Sequence, residues 1–362
     1  MNTSLLYNRL YHWYEVNHRV LPWRETVDPY CIWVSEIILQ QTRVVQGMEY
    51  YVRFISRFPD VQSLASAEED EVLRYWQGLG YYTRARNLHK AARMIAGTSG
   101  EVGGVAGVVH PTQQERFAAL RAMPGVGEYT AGAIASFAFD LPYPALDGNV
   151  YRVLSRLYDC DIAFDTSAGK RHFHGLAEGL LDTGHPRLFN SAIMEFGALY
   201  CVPQSPDCEG CPLQECCLAY AHHTVALLPI RKVRGSLRER YLNYTLYITR
   251  AGETLIHQRV ADDIWKHLYE FPLVESDRLL PVGTCPSIDL THVLSHQRLH
   301  ARFHVEEVDV LPDIPETRVV RIEEIEEYAM SRLTVRALEG MGVVNGRLDE
   351  LVVKETTDRA TR

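Results

Sequence analysis

Hydrophobic and polar positions alternate with a helical period over most of the first 240 residues and with a two-residue period after them. Near the start, Asp28-Pro29 predicts the beginning of a helix that is apolar nearly all round. Glu36, Gln40 and Arg43 interrupt its apolar pattern at i, i+4 and i+7 on one face. A glutamate on a mostly buried helix is either a solvated surface group or a functional acid, and the apolar neighbours of Glu36 favour the second.

Residues 111–150 predict a helix, a tight turn, a second helix and a loop. Thr112 and Glu115 form a capping box, and the run P-G-V-G at 124–127 ends the first helix. The second helix starts near Glu128. Glycines in such a turn let backbone amides approach a ligand beside a helix N-terminus, which suits a phosphate oxygen. An ordinary helix–turn–helix corner is the alternative.

Asp147 comes some twenty residues after this turn, in a proline-containing loop that opens the next helix. It is either only an N-cap for a helix at 149–158 or a reacting group. Glu36 and Asp147 together make a separated carboxylate pair, which is the equipment for breaking a glycosidic bond. One carboxyl group protonates the leaving group, and the other stabilises the cationic sugar.

Beyond residue 240 the pattern becomes that of strands. The run NYTLYITRAGETLIHQRV predicts a strand, a turn at Gly252 and a second strand, in the manner of a hairpin. We therefore predict a helical region at 1–225, a linker at 226–240 and a second domain at 241–362. The basic run at 231–240 either lies along nucleic acid or is a soluble connector.

Composition narrows the class of protein. The chain has 362 residues, of which 46% are hydrophobic, so it can bury a sizeable core in two or three domains. No stretch reaches eighteen apolar residues and no early segment resembles a signal peptide, so we expect a soluble, cytoplasmic monomer that makes no use of a membrane. The net charge of −9 decides little about a polyanionic partner, because charge can be local.

Five of the eight cysteines lie between residues 201 and 217. In a reducing compartment clustered cysteines bind metal more often than each other. The spacing C-x6-C-x2-C-x5-C suits a [4Fe–4S] cluster better than zinc, whose sites join two ligand pairs that are far apart in sequence. Zinc and disulfides remain the alternatives, and using Cys216 as the last ligand would shorten the last gap to four. The predicted ligands are Cys201, Cys208, Cys211 and Cys217.

The order of these features resembles the helix–hairpin–helix DNA glycosylases of the endonuclease III type. It runs from P-G-V-G through D-G-N-V-x-R-V-L to the cysteine loop. Within that superfamily, the runs at 34–44, 78–88 and 189–201 resemble the adenine DNA glycosylases, the MutY family. Residues 265–275 and 292–308 resemble the C-terminal domain of that family. The resemblance implies an α+β fold class, with an all-α helix–hairpin–helix region carrying an iron–sulfur loop, followed by a smaller α/β Nudix-like domain.

The resemblance also implies roles for the carboxylates and their neighbours. Glu36 would be the general acid that delivers a proton to adenine N7, and Asp147 would lie beneath the sugar carbon as electrostatic partner or nucleophile. Tyr129 and Asn149 match positions that hold the carboxylates and the developing cation. Family members that also cut the strand have a Schiff-base lysine where this chain has Tyr129, so a monofunctional hydrolase is implied.

Residues that contact DNA are implied in the same way. The adenine pocket would consist of Trp23, Arg24, Leu39 and Glu195, with Gln41, Thr42 and Tyr81 as wedge residues that enter the base stack. Gly125 and Gly127 would present backbone amides to the phosphates, and Leu294, Ser295 and His296 would read the opposite base. Arg84 and Arg86 are further candidates for phosphate contacts. The family usually has phenylalanine where this chain has Leu294.

The resulting hypothesis is a monofunctional adenine DNA glycosylase with a [4Fe–4S] cluster. Its partner would be double-stranded DNA in which adenine lies opposite 8-oxoguanine or guanine. A bifunctional glycosylase and lyase of the endonuclease III type is one alternative, which Tyr129 opposes. A non-catalytic iron–sulfur DNA-binding protein is another, and such a protein would not need both Glu36 and Asp147.

Overall fold

The computed structural model describes residues 2–98, 100–104, 111–232, 236–344 and 347–348. The chain forms two compact units, the first made of Met1–Ser66 and Asn87–Arg234 and the second of Ala67–Arg86 and Gly235–Arg362. The internal segment Ala67–Arg86 thus groups with the C-terminal residues. The boundaries expected from the sequence, at 225 and 240, stay a prediction.

The first unit is helical. Its first helices are α1 (Thr3–Asn17), α2 (Pro29–Ile38), α3 (Val44–Arg57) and α4 (Val61–Ser66). The next helix, α5 (Glu69–Trp76), belongs to the second unit. Helix α6 (Thr83–Ala96) begins in the second unit and continues in the first from Asn87. The first unit continues with α7 (Gln113–Ala122), α8 (Glu128–Phe139), α9 (Gly148–Leu157), α10 (Ser167–Leu180), α11 (Pro186–Leu199) and α12 (Leu218–Ala221). Short 3₁₀ helices cover Gln214–Cys216 and Val225–Leu227. No helix in these described ranges has the length and apolarity needed to cross a membrane.

Local capping interactions set where the helices of the first unit begin. The Asp28 side chain accepts hydrogen bonds from the backbone N–H groups of Tyr30 and Cys31, as expected for the start of α2. This helix ends at Ile38, and Gln41 adopts a left-handed backbone with φ of 59°. The expectation that Gln40 and Arg43 continue one helix face with Glu36 is therefore wrong, because the chain turns before it reaches them.

The predicted capping box of Thr112 and Glu115 is present at the start of α7. In the turn between α7 and α8, Gly125 has a φ of 78°, and a Cβ there would lie 2.8 Å from the Cβ of Asn87. Gly127 caps α8 with extended backbone, and a Cβ there would meet no protein atom within 4 Å. The two glycines therefore have different reasons for being glycine.

The second unit carries strands β1 (Arg238–Thr249), β2 (Glu253–Gln258), β3 (Tyr269–Glu270), β4 (Leu273–Ser276), β5 (Ser287–Val293), β6 (Gln297–Val308), β7 (Thr317–Arg321), β8 (Val343–Val344) and β9 (Arg347–Leu348). A 3₁₀ helix at Ile322–Glu327 and α13 (Arg332–Gly340) complete it. One sheet has the order β4-β1-β6-β5, a second has the order β3-β2-β7, and β8 pairs with β9. The apolar faces of the first two sheets share one core around Tyr244, Phe271 and Phe303.

The predicted hairpin of β1 and β2 is wrong in its pairing. Gly252 does form the turn between the two strands, with a φ of 74°, but the strands join different sheets. β1 runs parallel to β6 along its whole length and antiparallel to β4 on its other edge. β6 occupies one edge of β1 and β4 occupies the other edge over residues 241–244, whereas β2 pairs with β3 and β7.

The first residues of β1, from Arg238, lie within the basic run at 231–240. Arg240 is buried and donates hydrogen bonds to the carboxylates of Asp263 and Glu275. A guanidinium held by two carboxylates in this way is not available to DNA. The Arg231 guanidinium lies 5.2 Å from the centroid of the Phe164 ring, while residues 233–235 of the basic run lie outside the described residues.

Three glycines of α10 provide a matched test of its packing. A Cβ at Gly169 would lie 2.0 Å from the carbonyl oxygen of Ala163, whereas a Cβ at Gly175 or Gly179 would meet nothing within 4 Å. We expect Gly169→Ala to lower the free energy of unfolding by about 1–3 kcal/mol. Gly175→Ala and Gly179→Ala should raise it by about 0.5–1 kcal/mol, because alanine favours a helix interior. Urea unfolding of the three variants measures both signs, and equal stability for all three would contradict this packing.

Candidate active site

A cavity of about 1550 Å³ opens in the first unit. Most of the predicted site residues line it, namely Trp23, Arg24, Glu36, Leu39, Gln41, Thr42, Gly125, Gly127, Tyr129, Asp147, Asn149 and Glu195. They come from the segment between α1 and α2, from α2 and the turn after it, from the turn before α8 and the first turn of α8, from the start of α9 and from α11. Tyr81, Leu294, Ser295 and His296 belong to the second unit and do not line this cavity.

Glu36 is the most deeply buried acid of the cavity, with 2% of its surface exposed. The Tyr129 hydroxyl donates a hydrogen bond of 2.7 Å to Glu36 Oε2. The Arg24 guanidinium lies 3.4 Å from Oε1 and 3.7 Å from the centroid of the Phe137 ring. These contacts leave Oε1, which has only the longer contact to Arg24, as the less strongly bound oxygen of the carboxyl group.

Tyr129 lies in the first turn of α8, directly after the glycine turn. Burial is the main cause that raises the pKa of Tyr129 well above its usual range, and the charge of Glu36 adds to it. The phenol is therefore neutral across the physiological pH range and acts as a hydrogen-bond donor to Glu36.

Asp147 caps α9, as the sequence predicts. Its Oδ1 accepts from the backbone N–H groups of Asn149 and Val150 at 2.9 and 2.8 Å, and its Oδ2 accepts from Asn149 Nδ2 at 2.8 Å. Burial raises the pKa of Asp147, while these three hydrogen bonds oppose the rise because they favour the charged form. The carboxyl group of Asp147 thus lies at the N-terminus of a helix, where the helix dipole favours its charged form.

Asn190 holds the loop that leads to Asp147. Its Oδ1 accepts from the Ala145 N–H at 3.0 Å, and its Nδ2 donates to Tyr143 O and Ser136 Oγ. The run at 189–201 contains Asn190, but its pattern predicts no role for this residue. A buried amide within an otherwise apolar stretch of α11 was the available signal.

Glu195 is already paired in the structure, with a residue that sequence reasoning missed. Arg19 donates from Nε to Oε1 at 2.6 Å, from Nη2 to Oε2 at 2.8 Å, and from its backbone N–H to Oε1 at 3.0 Å. These bonds raise the pKa of the Arg19 guanidinium and fix the orientation of the Glu195 side chain. The partners are 176 positions apart, so no local pattern indicates the pair.

Two arginines on α9 connect the cavity to the cysteine loop. Arg152 donates to Asn149 Oδ1 at 2.9 Å and to the carbonyl oxygen of Cys201 at 2.8 Å. Arg156, one turn later, lies with Nη1 3.3 Å from Cys201 Sγ and donates to the carbonyl oxygen of Val202. The helix that begins at Asp147 therefore also fixes the first residues of the loop.

The four predicted cysteine ligands, Cys201, Cys208, Cys211 and Cys217, line one small cavity beside Arg156. Cys216 does not line it and packs instead into the core of the first unit. Within the described residues, no group of three or more His, Cys, Asp or Glu side chains is arranged to hold a metal ion. Four thiols around a shared cavity are nevertheless a donor set that suits an iron–sulfur cluster.

Arg84 and Arg86 contact the protein's own backbone. Arg84 donates to the carbonyl oxygens of Leu79 and Gly80, and burial lowers the pKa of its guanidinium to about 10. Arg86 donates to the carbonyl oxygen of Lys266. These contacts do not support the expectation that the two arginines bind phosphates.

Leu294, Ser295 and His296 form the turn between β5 and β6. The Leu294 N–H donates to the carbonyl oxygen of Gln297 at 2.8 Å, and the Leu294 side chain packs against the core of the second unit. Ser295 and His296 are exposed, with Ser295 Oγ 3.2 Å from His296 Nδ1. Two polar side chains of this turn, those of Ser295 and His296, therefore lie on the surface of the second unit.

Family models match both parts of the chain. Residues 34–173 match the HhH-GPD superfamily of base excision DNA repair proteins, and residues 243–340 match the NUDIX domain. These matches confirm the predicted α+β fold class, a helix–hairpin–helix region followed by a smaller Nudix-like domain.

Solved structures agree on the fold of the helical part. A thermostable thymine-DNA glycosylase superimposes with a TM-score of 0.53 at 27% identity, over 61% of this chain and 97% of that one. A trapped endonuclease III–DNA covalent intermediate has a TM-score of 0.50 at 22% identity, over 62% of this chain and 99% of that one, and supports the fold alone.

Relatives carry one common name. The adenine DNA glycosylase of Buchnera aphidicola subsp. Baizongia pistaciae (strain Bp) is 34% identical over 273 residues, which are 75% of this chain and 74% of the relative. That of Mus musculus is 40% identical over 65% of this chain and 46% of its own length. A chain with this similarity, this fold and these two matched domains belongs to the adenine DNA glycosylase family and is a DNA N-glycosylase of base excision repair.

Proposed function

We propose that the protein hydrolyses the N-glycosidic bond of adenine mispaired with 8-oxoguanine, and with guanine, in double-stranded DNA, and leaves an abasic site without cutting the strand. The observation that carries the proposal is the buried Glu36–Tyr129 pair in the cavity that Asp147 also lines. An acid sheltered from water and a carboxylate at a helix N-terminus match the two roles of glycosidic bond cleavage.

Adenine must leave the base stack to reach this cavity, because its glycosidic bond is inaccessible within a duplex. In the proposal, Trp23 and Leu39 pack against the flipped base. Arg19 holds the carboxylate of Glu195 so that its remaining acceptor positions meet the base edge. The Gly125–Gly127 turn binds a phosphate through its amides, and the absence of protein atoms around a Cβ at Gly127 agrees with a close approach of DNA there.

Glu36 acts as the general acid. Its Oε2 accepts the hydrogen bond from Tyr129, so Oε1 is the oxygen that gives a proton to adenine N7. Tyr129 keeps the carboxyl group oriented, and its neutral phenol cannot form a Schiff base with the sugar. The reaction therefore ends at the abasic site.

Asp147 stabilises the sugar cation that forms as adenine leaves. The hydrogen bonds from Asn149 and Val150 fix its carboxylate before the reaction, so that little reorganisation is needed when charge develops. The Asp147 carboxylate faces the sugar carbon both when it acts by charge alone and when it forms a bond to that carbon. Water then completes the hydrolysis.

Cys201, Cys208, Cys211 and Cys217 would hold a [4Fe–4S] cluster, which when bound cross-links the loop through four thiolates. Arg156 approaches Cys201 Sγ and binds two carbonyl groups of the loop, so it orders the backbone around the first ligand. The second domain would recognise the base opposite adenine through the exposed turn of Leu294, Ser295 and His296.

A strand-cleavage assay tests the proposed function. We expect a labelled duplex with adenine opposite 8-oxoguanine to be cut only after hot alkali, because the protein leaves an abasic site intact. Cleavage without alkali would indicate a lyase, and no cleavage in either case would contradict the proposal.

The same assay tests the two carboxylates. Glu36→Gln and Asp147→Asn should each reduce the single-turnover rate by about 100-fold or more while duplex affinity is retained. Glu15→Gln, which neutralises an exposed acid on α1, is the matched control and should keep the wild-type rate. Wild-type turnover in either cavity variant would refute the proposed roles.

The pH dependence of the rate follows from Asp147. Burial raises the pKa of Asp147 above its ordinary value, and only its ionised form stabilises a cation, so the rate should fall as pH decreases through this raised pKa. Asn149→Ala removes one hydrogen bond to the ionised form and should move this acidic limb to higher pH. Single-turnover rates between pH 4 and 8 measure the shift, and an unmoved limb would argue against Asp147 as the titrating group.

Iron content tests the cysteine ligands. We expect the purified protein to be brown, and Cys201→Ser, Cys208→Ser, Cys211→Ser and Cys217→Ser each to lose iron and colour. Cys216→Ser is the control and should retain both, because its thiol packs in the core away from the shared cavity. Iron and zinc analysis with visible absorption decides the point, and stoichiometric zinc without iron would contradict the cluster.

A further inference from the structure

Tyr81 lies in an unusual backbone turn within the second unit. Gly78 and Gly80 have φ angles of 97° and 70°, and Tyr81 itself has a φ of 48°. Glycine adopts these values easily, but a bulky aromatic residue in the left-handed region costs free energy. Such a residue keeps its conformation only where its surroundings hold it. The Tyr81 side chain is 46% exposed, and the Arg84 guanidinium lies 5.7 Å from the centroid of its ring.

Neighbouring side chains bind the backbone of this turn. Trp76 Nε1 donates to the Gly80 carbonyl oxygen at 3.1 Å, and Arg84 Nη2 donates to the same oxygen at 3.1 Å. The Gly78 N–H donates to the hydroxyl of Tyr82 at 3.4 Å. The turn is therefore fixed at both of its glycines.

The Tyr82 hydroxyl also reaches the C-terminal part of the second unit. It donates a buried hydrogen bond of 3.0 Å to the carbonyl oxygen of Met330. The backbone around Met330 is itself held, because it bridges to Tyr269, whose N–H donates to the Ala329 carbonyl oxygen at 2.8 Å. One hydroxyl thus joins the turn that presents Tyr81 to a fixed backbone 248 residues later.

Further contacts attach the segment on both sides of the turn. Before it, His267 Nδ1 lies 2.5 Å from Glu69 Oε1, and the Tyr269 hydroxyl lies 3.4 Å from Asp70 Oδ2. After it, Arg86 donates to the carbonyl oxygen of Lys266. These contacts lie outside the turn, whereas the Tyr82 hydroxyl binds both the Gly78 N–H of the turn and the Met330 carbonyl oxygen.

We infer that Tyr82 is a positioning residue. Its bridge from Gly78 to Met330 keeps Tyr81 in the left-handed conformation that projects the ring outward. The domain that carries the Leu294–His296 turn would thereby also prepare the residue that enters the base stack. The inference rests on the proposed function in one respect, namely that Tyr81 acts as a wedge at the mispair.

Tyr82→Phe removes the bridge and keeps the ring. The turn should then relax into conformations that do not project Tyr81, and base flipping should weaken in proportion to the lost fraction. The loss of the hydroxyl's hydrogen bonds predicts about a three- to tenfold decrease. Tyr30→Phe is the matched control, because the Tyr30 hydroxyl also donates a buried hydrogen bond, of 2.8 Å, to a backbone carbonyl, that of Phe58 in the first unit.

Hydrogen–deuterium exchange of the free, full-length protein tests the bridge without reference to function. In Tyr82→Phe, peptides covering residues 77–83 and 328–331 should exchange faster than in wild type, and in Tyr30→Phe they should not. Unchanged exchange at 77–83 in Tyr82→Phe would overturn the inference.

Base flipping tests the consequence. A duplex with 2-aminopurine in place of the target adenine, opposite 8-oxoguanine, should become fluorescent with saturating wild-type protein, because an extruded base is unstacked. Tyr82→Phe should lower the ratio of flipped to stacked base and the single-turnover rate of adenine release about three- to tenfold. If wild type is active and Tyr82→Phe matches Tyr30→Phe, the positioning role is wrong. If wild type releases no adenine, the proposed function fails and with it the wedge role, whereas the exchange result still decides whether Tyr82 holds the turn.

Discussion

The candidate site depends on the hydrogen bonds between the Asp147 side chain and the first backbone N–H groups of α9. The first backbone N–H groups of a helix need acceptors, and a buried carboxylate needs hydrogen-bond donors. The hydrogen bonds from the N–H groups of Asn149 and Val150 to Asp147 satisfy both requirements. The carboxylate that we propose to take part in the reaction therefore also caps α9. Because α9 continues to Arg152 and Arg156, the helix that Asp147 caps also contacts the first residue of the cysteine loop.

Interactions within a few residues were predictable from the sequence. The capping box at Thr112 and the caps at Asp28 and Asp147 were recognised because the capping side chain and its donors lie within three positions. Glu36 was recognised because an acid within an apolar helix is unusual. The assignment of Tyr129 needed the family, because a tyrosine after a glycine turn has no specific pattern of its own.

Long-range pairing was not predictable. Arg19 and Glu195 are far apart in sequence, and each alone looks like an ordinary surface residue. The basic run at 231–240 left contact with nucleic acid open, yet Arg240 pairs with Asp263 and Glu275 of the second unit. Likewise, strand periodicity identified β1 and β2 but could not show that β6 would pair with β1 in parallel. Periodicity reports which face is buried, whereas pairing depends on which edges meet.

The empty space around Gly127 means that a substitution there can affect DNA binding without affecting the stability of the free protein. Because a side chain there would touch no protein atom and the backbone is extended, an alanine at this position leaves the fold of the free protein undisturbed. The expression level, the melting temperature and the circular dichroism spectrum of the variant would all match those of the wild type. If the turn binds a phosphate as we propose, the added methyl group meets its first obstacle only in the complex. Variants at this position would then escape every assay performed without DNA.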